Sequence, residues 1–227
     1  SKIAAESAES FYQLASQSVI VLPNPVDTQA LLQTTVKTNK QDNPSALTLV
    51  CVGRMTKEKG HRDLIDAIAI AQASWPDSNP SLHIQLIGDG PLRAELELRA
   101  MKIREPHSVK FCGALSNVGP SIANADALIL PSLFEGMPNV VLEAMALETP
   151  VIATRAGGTI ELEREEPTIL WAEPQNAESL AAAIVSFGTD PKSSVPRTQA
   201  ATRLITRHHN IETTCHRLEQ HLLAACH

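Results

Sequence analysis

Along the chain, short runs that are apolar at almost every position alternate with longer stretches in which apolar residues return every third or fourth place. The short runs are residues 18–22, 47–52, 82–87, 109–111, 127–130 and 151–153. Their near-continuous Val, Ile and Leu is the composition of strands covered on both faces, and the segments between them are long enough for crossover helices. The pattern predicts an α/β fold, a doubly wound parallel sheet. Residues 60–74 carry Leu64, Ile65, Ile68 and Ala71 at helical spacing before Trp75-Pro76 stops the run. Residues 91–104 and 138–148 each open on a proline, as helices do, and the second ends before Thr149-Pro150. Residues 1–17 also read as helix. The chain turns polar over 24–44, which reads as a linker, and the main sheet follows over 45–190. A loop and two polar C-terminal helices occupy 191–227.

With 227 residues, 43% hydrophobic and 19% charged, the chain has enough apolar material for a packed core without disulfide or metal staples. Its net charge of −6 argues against nucleic acid as a partner. No apolar run reaches the 18 or so residues of a membrane span, and the first residues lack the apolar core of a signal peptide, so a cytoplasmic location is expected. Cys51, Cys112, Cys215 and Cys226 have no paired spacing; Cys51 and Cys112 read as core residues. His208, His209, Cys215, His216, His221, Cys226 and His227 crowd the tail without the spacing of a native metal site, and no metal is expected. The chain starts without Met in a stretch that already reads as helix, which suggests that an earlier portion precedes it.

In a doubly wound sheet, ligands bind at the carboxyl ends of the strands, so the loops there are where chemistry is expected. The loop Gly53-Arg54-Met55-Thr56-Lys57-Glu58-Lys59-Gly60 brings cations to a helix start. Arg54 offers a two-pronged donor, Lys59 a mobile charge and the helix its free N–H groups, together a grip for a diphosphate. A solvated loop with Glu58 neutralising its cations is the plain alternative. The loop Gly88-Asp89-Gly90-Pro91-Leu92-Arg93 begins like a dinucleotide fingerprint but has Arg93 where the third glycine belongs, so it reads as a tight turn or a minor part of a pocket wall. The loop Gly113-Ala114-Leu115-Ser116-Asn117 has backbone that could meet the edge of a base.

The most informative loop runs from Pro131 through Glu135, Gly136, Met137, Pro138 and Asn139 to Glu143. From Pro138 to Glu143 is about 1.4 helical turns, which lets Glu143 share a pocket with Glu135 at the helix start. Carboxylates suit the vicinal hydroxyls of a ribose or a hexose, and a helix N-terminus suits phosphate. Two acids could also hydrolyse a glycoside. The cation pair and the scarcity of aromatic platforms disfavour that reading. No Asp-x-Asp, nucleophile elbow or P-loop is present.

Taken in order, several pieces resemble the C-terminal half of a GT-B-fold glycosyltransferase of the large retaining family 4 group. They are Leu22-Pro23-Asn24-Pro25-Val26-Asp27, Gly53-Arg54 with Glu58-Lys59-Gly60, Gly88-Asp89-Gly90-Pro91, Phe111-Cys112-Gly113, Ala125-Asp126-Ala127, Glu135 to Glu143, and Gly157-Gly158. The resemblance spans about residues 19–183. It implies that Gly53, Arg54 and Lys59 hold the diphosphate of a UDP- or GDP-linked sugar, with Arg54 and Lys59 stabilising the leaving nucleotide without a metal or other cofactor. Glu135 would face the donor sugar and Glu143 the ribose, while the backbone N–H groups of Met137 and Asn139 meet phosphate or sugar oxygens, Gly136 and Pro138 line the donor site beside them, and the backbone of Leu115 reads the base. Transfer would retain the anomeric configuration.

The resemblance also implies that 1–23 is the last helix and strand of a mostly absent N-terminal domain. That domain would bring the acceptor, a glycan, glycolipid or small molecule, and is compatible with a peripheral place for the whole enzyme at the inner face of a membrane. The chain would then be catalytically incomplete. A departure is Arg164-Glu165-Glu166-Pro167 in place of the family's usual glycine-bearing loop and its acid. A non-catalytic nucleotide-sugar-binding module and a nucleotide-sugar epimerase of similar fold remain as alternatives.

Overall fold

A computed structural model describes residues 1–15, 19–36 and 46–225. Six strands form one sheet, with every neighbouring pair parallel: β1 (Ala46–Val52), β2 (Ser81–Ile87), β3 (Ser108–Gly113), β4 (Ala127–Leu130), β5 (Val151–Thr154) and β6 (Leu170–Ala172). Their spatial order is β3-β2-β1-β4-β5-β6. The doubly wound parallel sheet expected from the apolar runs is therefore present.

Apolar residues occupy both faces of the strands because each face has its own core. Leu47, Leu49 and Cys51 of β1 point to one side, where α3 (His61–Ala73) and α7 (Ala177–Thr189) supply Leu64, Ile65, Ile68, Ile184 and Phe187. Val50 points to the other. There α5 (Gly119–Ala123), α6 (Asn139–Ala146) and α8 (Val195–His208) supply Ile122, Val141, Leu142, Met145, Leu204 and Ile205. Beside α3 lies α4 (Arg93–Ala100), tied to it by Arg62–Glu95 and Arg99–Asp66 ion pairs.

The structure differs from the sequence expectations at four points. Residues 19–22, expected to be strand, are irregular; Ile20 is 59% exposed, and the nearest pairing is a lone bridge between Val26 and Asn210. Without a neighbouring strand, an apolar run has no ladder to join; Ser18 lies outside the described residues. The helix expected to open at Pro91 begins at Arg93, because Leu92 and Arg93 donate their N–H groups to Met55 and Gly90 in a turn. The strand β6 was not anticipated: it is three residues long at the sheet edge, too short for a period. Within 1–17, read as helix, α1 covers Lys2–Phe11, and the segment read as a linker carries α2 (Thr28–Gln33), capped by the Asp27 carboxylate, with the buried Val26 anchored in the core. The C-terminal pair is α8 and α9 (Ile211–Ala225), preceded by a 3-10 turn over Pro191–Ser194.

Candidate functional site

At β1 the strand order switches, with β2 on one side and β4 on the other, and a doubly wound sheet leaves a crevice beyond the carboxyl ends of such a pair. A cavity of about 450 Å³ opens there. Gly53, Arg54 and Lys59 line it from the loop after β1, and Glu135, Met137, Pro138, Asn139, Val140 and Glu143 from the loop after β4 and the start of α6.

The β1 loop rests on the loop after β2. Met55, fully buried, donates its N–H to Asp89 O at 2.9 Å and accepts from Leu92 N at 3.1 Å. Gly88 has φ +134°, and a Cβ there would sit 2.0 Å from Gly53 O. The Gly88-Asp89-Gly90 turn is thus the floor beneath the cation loop, not part of the cavity wall. Arg54 is exposed, and its guanidinium makes no ion pair among the described residues. Leu133 N–H donates to Glu58 O at 2.8 Å and joins the two walls.

The β4 loop fixes Glu135. Its carboxylate is 2.7 Å from Lys59 Nζ and accepts a hydrogen bond at 2.7 Å from the hydroxyl of the fully buried Ser132. Thr154 Oγ1 donates to the Ser132 carbonyl at 2.5 Å, so three elements hold this acid, which is 8% exposed. Its own carbonyl accepts from Gly158 N–H at 2.8 Å, and Gly157 (φ +50°) approaches so closely that a Cβ would lie 2.2 Å from that oxygen.

Helix α6 begins without a side-chain cap, since its N-cap residue is Pro138 in extended conformation. Val141 and Leu142 both donate to Pro138 O, whereas the N–H groups of Asn139 and Val140 find no partner among the described residues. Uncapped N–H groups and the positive end of the helix dipole make this a favourable place for an anion. One turn further in, Glu143 is half-buried with no side-chain hydrogen bond among the described residues, and desolvation raises its pKa above the ordinary carboxylate value.

Behind this wall, His61 opens α3 at 2% exposure with neither ring nitrogen bonded among the described residues. Burial first and the Lys59 charge second push its pKa down to about 4. Burial pushes the Cys51 thiol up to about 12, which leaves it an inert core residue.

The expected site residues thus come together, with two placed differently. Gly136 is exposed next to Glu135 with open space where a Cβ would be, and Leu115 stands 44% exposed after β3, outside the cavity lining. The sequence does not single out Ser132, and Asn24 stands there only as one residue of the motif over 22–27, with no role assigned. Ser132 follows Pro131 as an ordinary small residue, and Asn24 sits in the segment read as polar linker; neither has a local pattern that reveals its distant partner. Two larger clefts of about 610 Å³, one along α8 and one beside Trp75 and His107, lack this set of cations and carboxylates at strand ends. Among the described residues no three His, Cys, Asp or Glu side chains gather as metal ligands, and no helix is long and apolar enough to cross a membrane. Cys226 and His227 lie outside the described residues.

Residues 46–190 match the family model of the glycosyl transferases group 1. The chain belongs to this family. A putative teichuronic acid biosynthesis glycosyltransferase of Bacillus subtilis, TuaC, is 36% identical over 138 residues, 61% of this chain and 32% of that protein. The glycogen synthase of Mycobacterium tuberculosis is 31% identical over 179 residues, 78% of this chain and 42% of that one. This group 1 chain therefore matches less than half the length of either relative. Among solved structures, Anabaena Alr3699/HepE in complex with UDP and glucose has a TM-score of 0.82 at 22% identity, over 97% of this chain and 61% of that one. A sucrose-phosphate synthase of Thermosynechococcus elongatus has a TM-score of 0.72 at 25% identity, over 97% and 57%. These likenesses agree with the GT-B-like half that the strand order describes.

Proposed function

We propose that the chain is the donor-binding half of a retaining glycosyltransferase, which holds a nucleoside diphosphate sugar for metal-independent transfer to an acceptor. The observation that carries this reading is the convergence, at the β1/β4 switch point, of two cations, an uncapped helix N-terminus and two carboxylates around one cavity. Arg54 is free of any ion pair among the described residues, which suits it to fork onto the diphosphate. Lys59 is shared: a diphosphate competes with Glu135 for its ammonium, and Glu135, still held by Ser132, then turns its free lone pairs to sugar hydroxyls. Glu143, short of partners and partly desolvated, accepts from ribose hydroxyls.

As the glycosyl–phosphate bond breaks, negative charge accumulates on the leaving diphosphate. The N–H groups of Asn139 and Val140 are fixed in advance by the helix start, Arg54 and Lys59 add positive charge on the opposite wall, and this stabilisation is the chain's contribution to catalysis. The chain spans less than half the length of its curated relatives, and in this reading the acceptor, a glycan, glycolipid or small molecule, is bound chiefly by the share of such an enzyme that the chain does not match. The UDP complexes of HepE make UDP the first nucleotide to try.

Calorimetric titration with UDP, GDP and ADP and their sugar conjugates tests the reading. One saturable nucleotide is expected, with affinity reduced at least tenfold by Arg54→Ala. Failure of all of them to bind at millimolar concentration would sink it.

A further inference from the structure

Asn24 lies outside every helix and strand, yet it reaches the mouth of the donor cavity. Its side-chain Nδ2 is 3.2 Å from the Met137 carbonyl oxygen and 2.8 Å from Asn139 Oδ1. A backbone carbonyl only accepts, so the end of Asn24 that faces Met137 must be its NH2 group. That NH2 in turn only donates, which obliges Asn139 to present its oxygen to Asn24. The end of Asn139 left unheld among the described residues is its own NH2, a pure donor, on the first residue of α6 and in the cavity wall.

Asn24 is itself held by the far end of the chain. His209, fully buried at the joint of α8 and α9, has Nδ1 2.8 Å from the Asn24 carbonyl oxygen, which makes Nδ1 the protonated nitrogen. Val26 N–H donates to the His209 carbonyl at 2.7 Å, and Val26 bridges to Asn210. Asn24 therefore sits between the C-terminal helices and the helix start that faces the ligand.

We infer that Asn24 is a positioning residue for donor binding: it fixes the Asn139 side-chain amide so that its hydrogens, not its oxygen, are offered to the donor's phosphate or sugar oxygens, and it occupies the Met137 carbonyl that would otherwise repel them. The inference rests on the nucleotide-sugar reading of the cavity and adds to it a residue from outside the cavity wall. Without Asn24 the Asn139 amide is free to rotate, and half of its orientations put a carbonyl oxygen against an anion.

The discriminating variant is Asn24→Asp, of the same shape but with acceptors in place of the NH2. Its carboxylate takes the Asn139 NH2 for itself and turns the Asn139 oxygen towards the ligand. UDP affinity is expected to fall about tenfold or more in Asn24→Asp, and about threefold in Asn24→Ala, which adds no repulsion. In an Asn139→Ala background the Asn24→Asp loss is expected to shrink to about threefold or less, because the group through which it acts is gone. A purely structural role would lower the melting temperature and give the same loss of affinity in both backgrounds. That result, or UDP affinity within twofold of wild type in a folded Asn24→Asp chain, overturns the inference.

A wild-type chain that binds no UDP, GDP or ADP contradicts the nucleotide reading separately. The Asn24–Asn139 link is then decided by the assigned side-chain amide resonances of Asn139 in the unliganded protein. They are expected to move on Asn24→Asp, and resonances that stay in place overturn the link.

Discussion

Glu143 and Glu135 are eight residues apart and belong to different chemistries because their surroundings differ. Glu135 is pinned by Lys59 and Ser132, whereas Glu143 is desolvated and unbonded among the described residues. If Glu143 receives the ribose hydroxyls, wild type should bind UDP about tenfold or more tighter than 2′-deoxy-UDP, since hydrogen bonds to a charged group are worth about 1.5–3 kcal/mol. Glu143→Ala should erase that preference; calorimetry with both ligands reads it, and a preference that persists in the variant would exclude Glu143 from the ribose. Both acids were legible in the sequence as two carboxylates flanking a helix start. The Ser132 hydroxyl beneath one of them was not, because its role depends on Thr154 from a strand that follows later.

His61 gives a second test at this scale. Its folded pKa of about 4 lies below the ordinary 6.5, so the unfolded chain takes up a proton first as the pH falls. The stability that the neutral ring contributes is whole above about pH 6.5 and is lost progressively towards pH 4, amounting to about 3 kcal/mol. His209, also lowered by burial, acts in the same sense, and Glu143, raised by burial, acts in the opposite one. Denaturant unfolding at pH 7 and pH 4.5 should therefore show wild type losing more stability than His61→Leu. Equal losses would contradict the assigned cause.

Among elements, the loops that carry the site are rigid because other loops lie directly under them. The Gly88 turn supports Gly53, and the Gly157 turn supports Glu135, each at a distance that admits no side chain. Gly88→Ala combines a left-handed φ with a Cβ driven against Gly53 O, and a loss of about 2 kcal/mol or more is expected in thermal unfolding, with weaker nucleotide binding as well. A melting temperature equal to that of wild type would show that the two loops are not in register as described. In the core, Ile68→Ala on α3 should cost about 2–5 kcal/mol, with the cavity left between the sheet and α7 adding to the lost transfer free energy.

The elements were legible in the sequence to the extent that they carried their own pattern. Strands β4 and β5 are buried along their whole length and β1 along most of it, and their apolar runs mark them, whereas β2 alternates buried Leu82, Ile84 and Leu86 with half-buried His83 and Gln85. Residues 19–22 have the same composition without a sheet neighbour, and β6 has a neighbour without enough residues to show a pattern. In both places the deciding fact is tertiary. The Gly88-Asp89-Gly90 turn illustrates the same limit: its glycines were visible, but that they serve the loop next door is a matter of strand order.

For the whole molecule, the order β3-β2-β1-β4-β5-β6 places the loops after β1 and β4 side by side, and this puts Arg54 and Lys59 opposite Glu135 and Glu143 although about 80 residues of chain separate the two pairs. The C-terminal helices reach back to the same crevice through His209 and Asn24. The chain spans less than half the length of the curated relatives it matches, and on the proposed donor-half reading it is expected to bind a donor yet transfer sugar to an added acceptor far more slowly than those longer enzymes. Transfer at an ordinary enzymatic rate would refute that division of labour.

The central claim is the location of the donor, and amide chemical-shift mapping of the labelled chain during titration with UDP-glucose addresses it most directly. Saturable shifts concentrated at residues 53–60 and 135–143 are the expected result. Saturable shifts concentrated instead along α8 or beside Trp75, with the β1 and β4 loops unmoved, would contradict it.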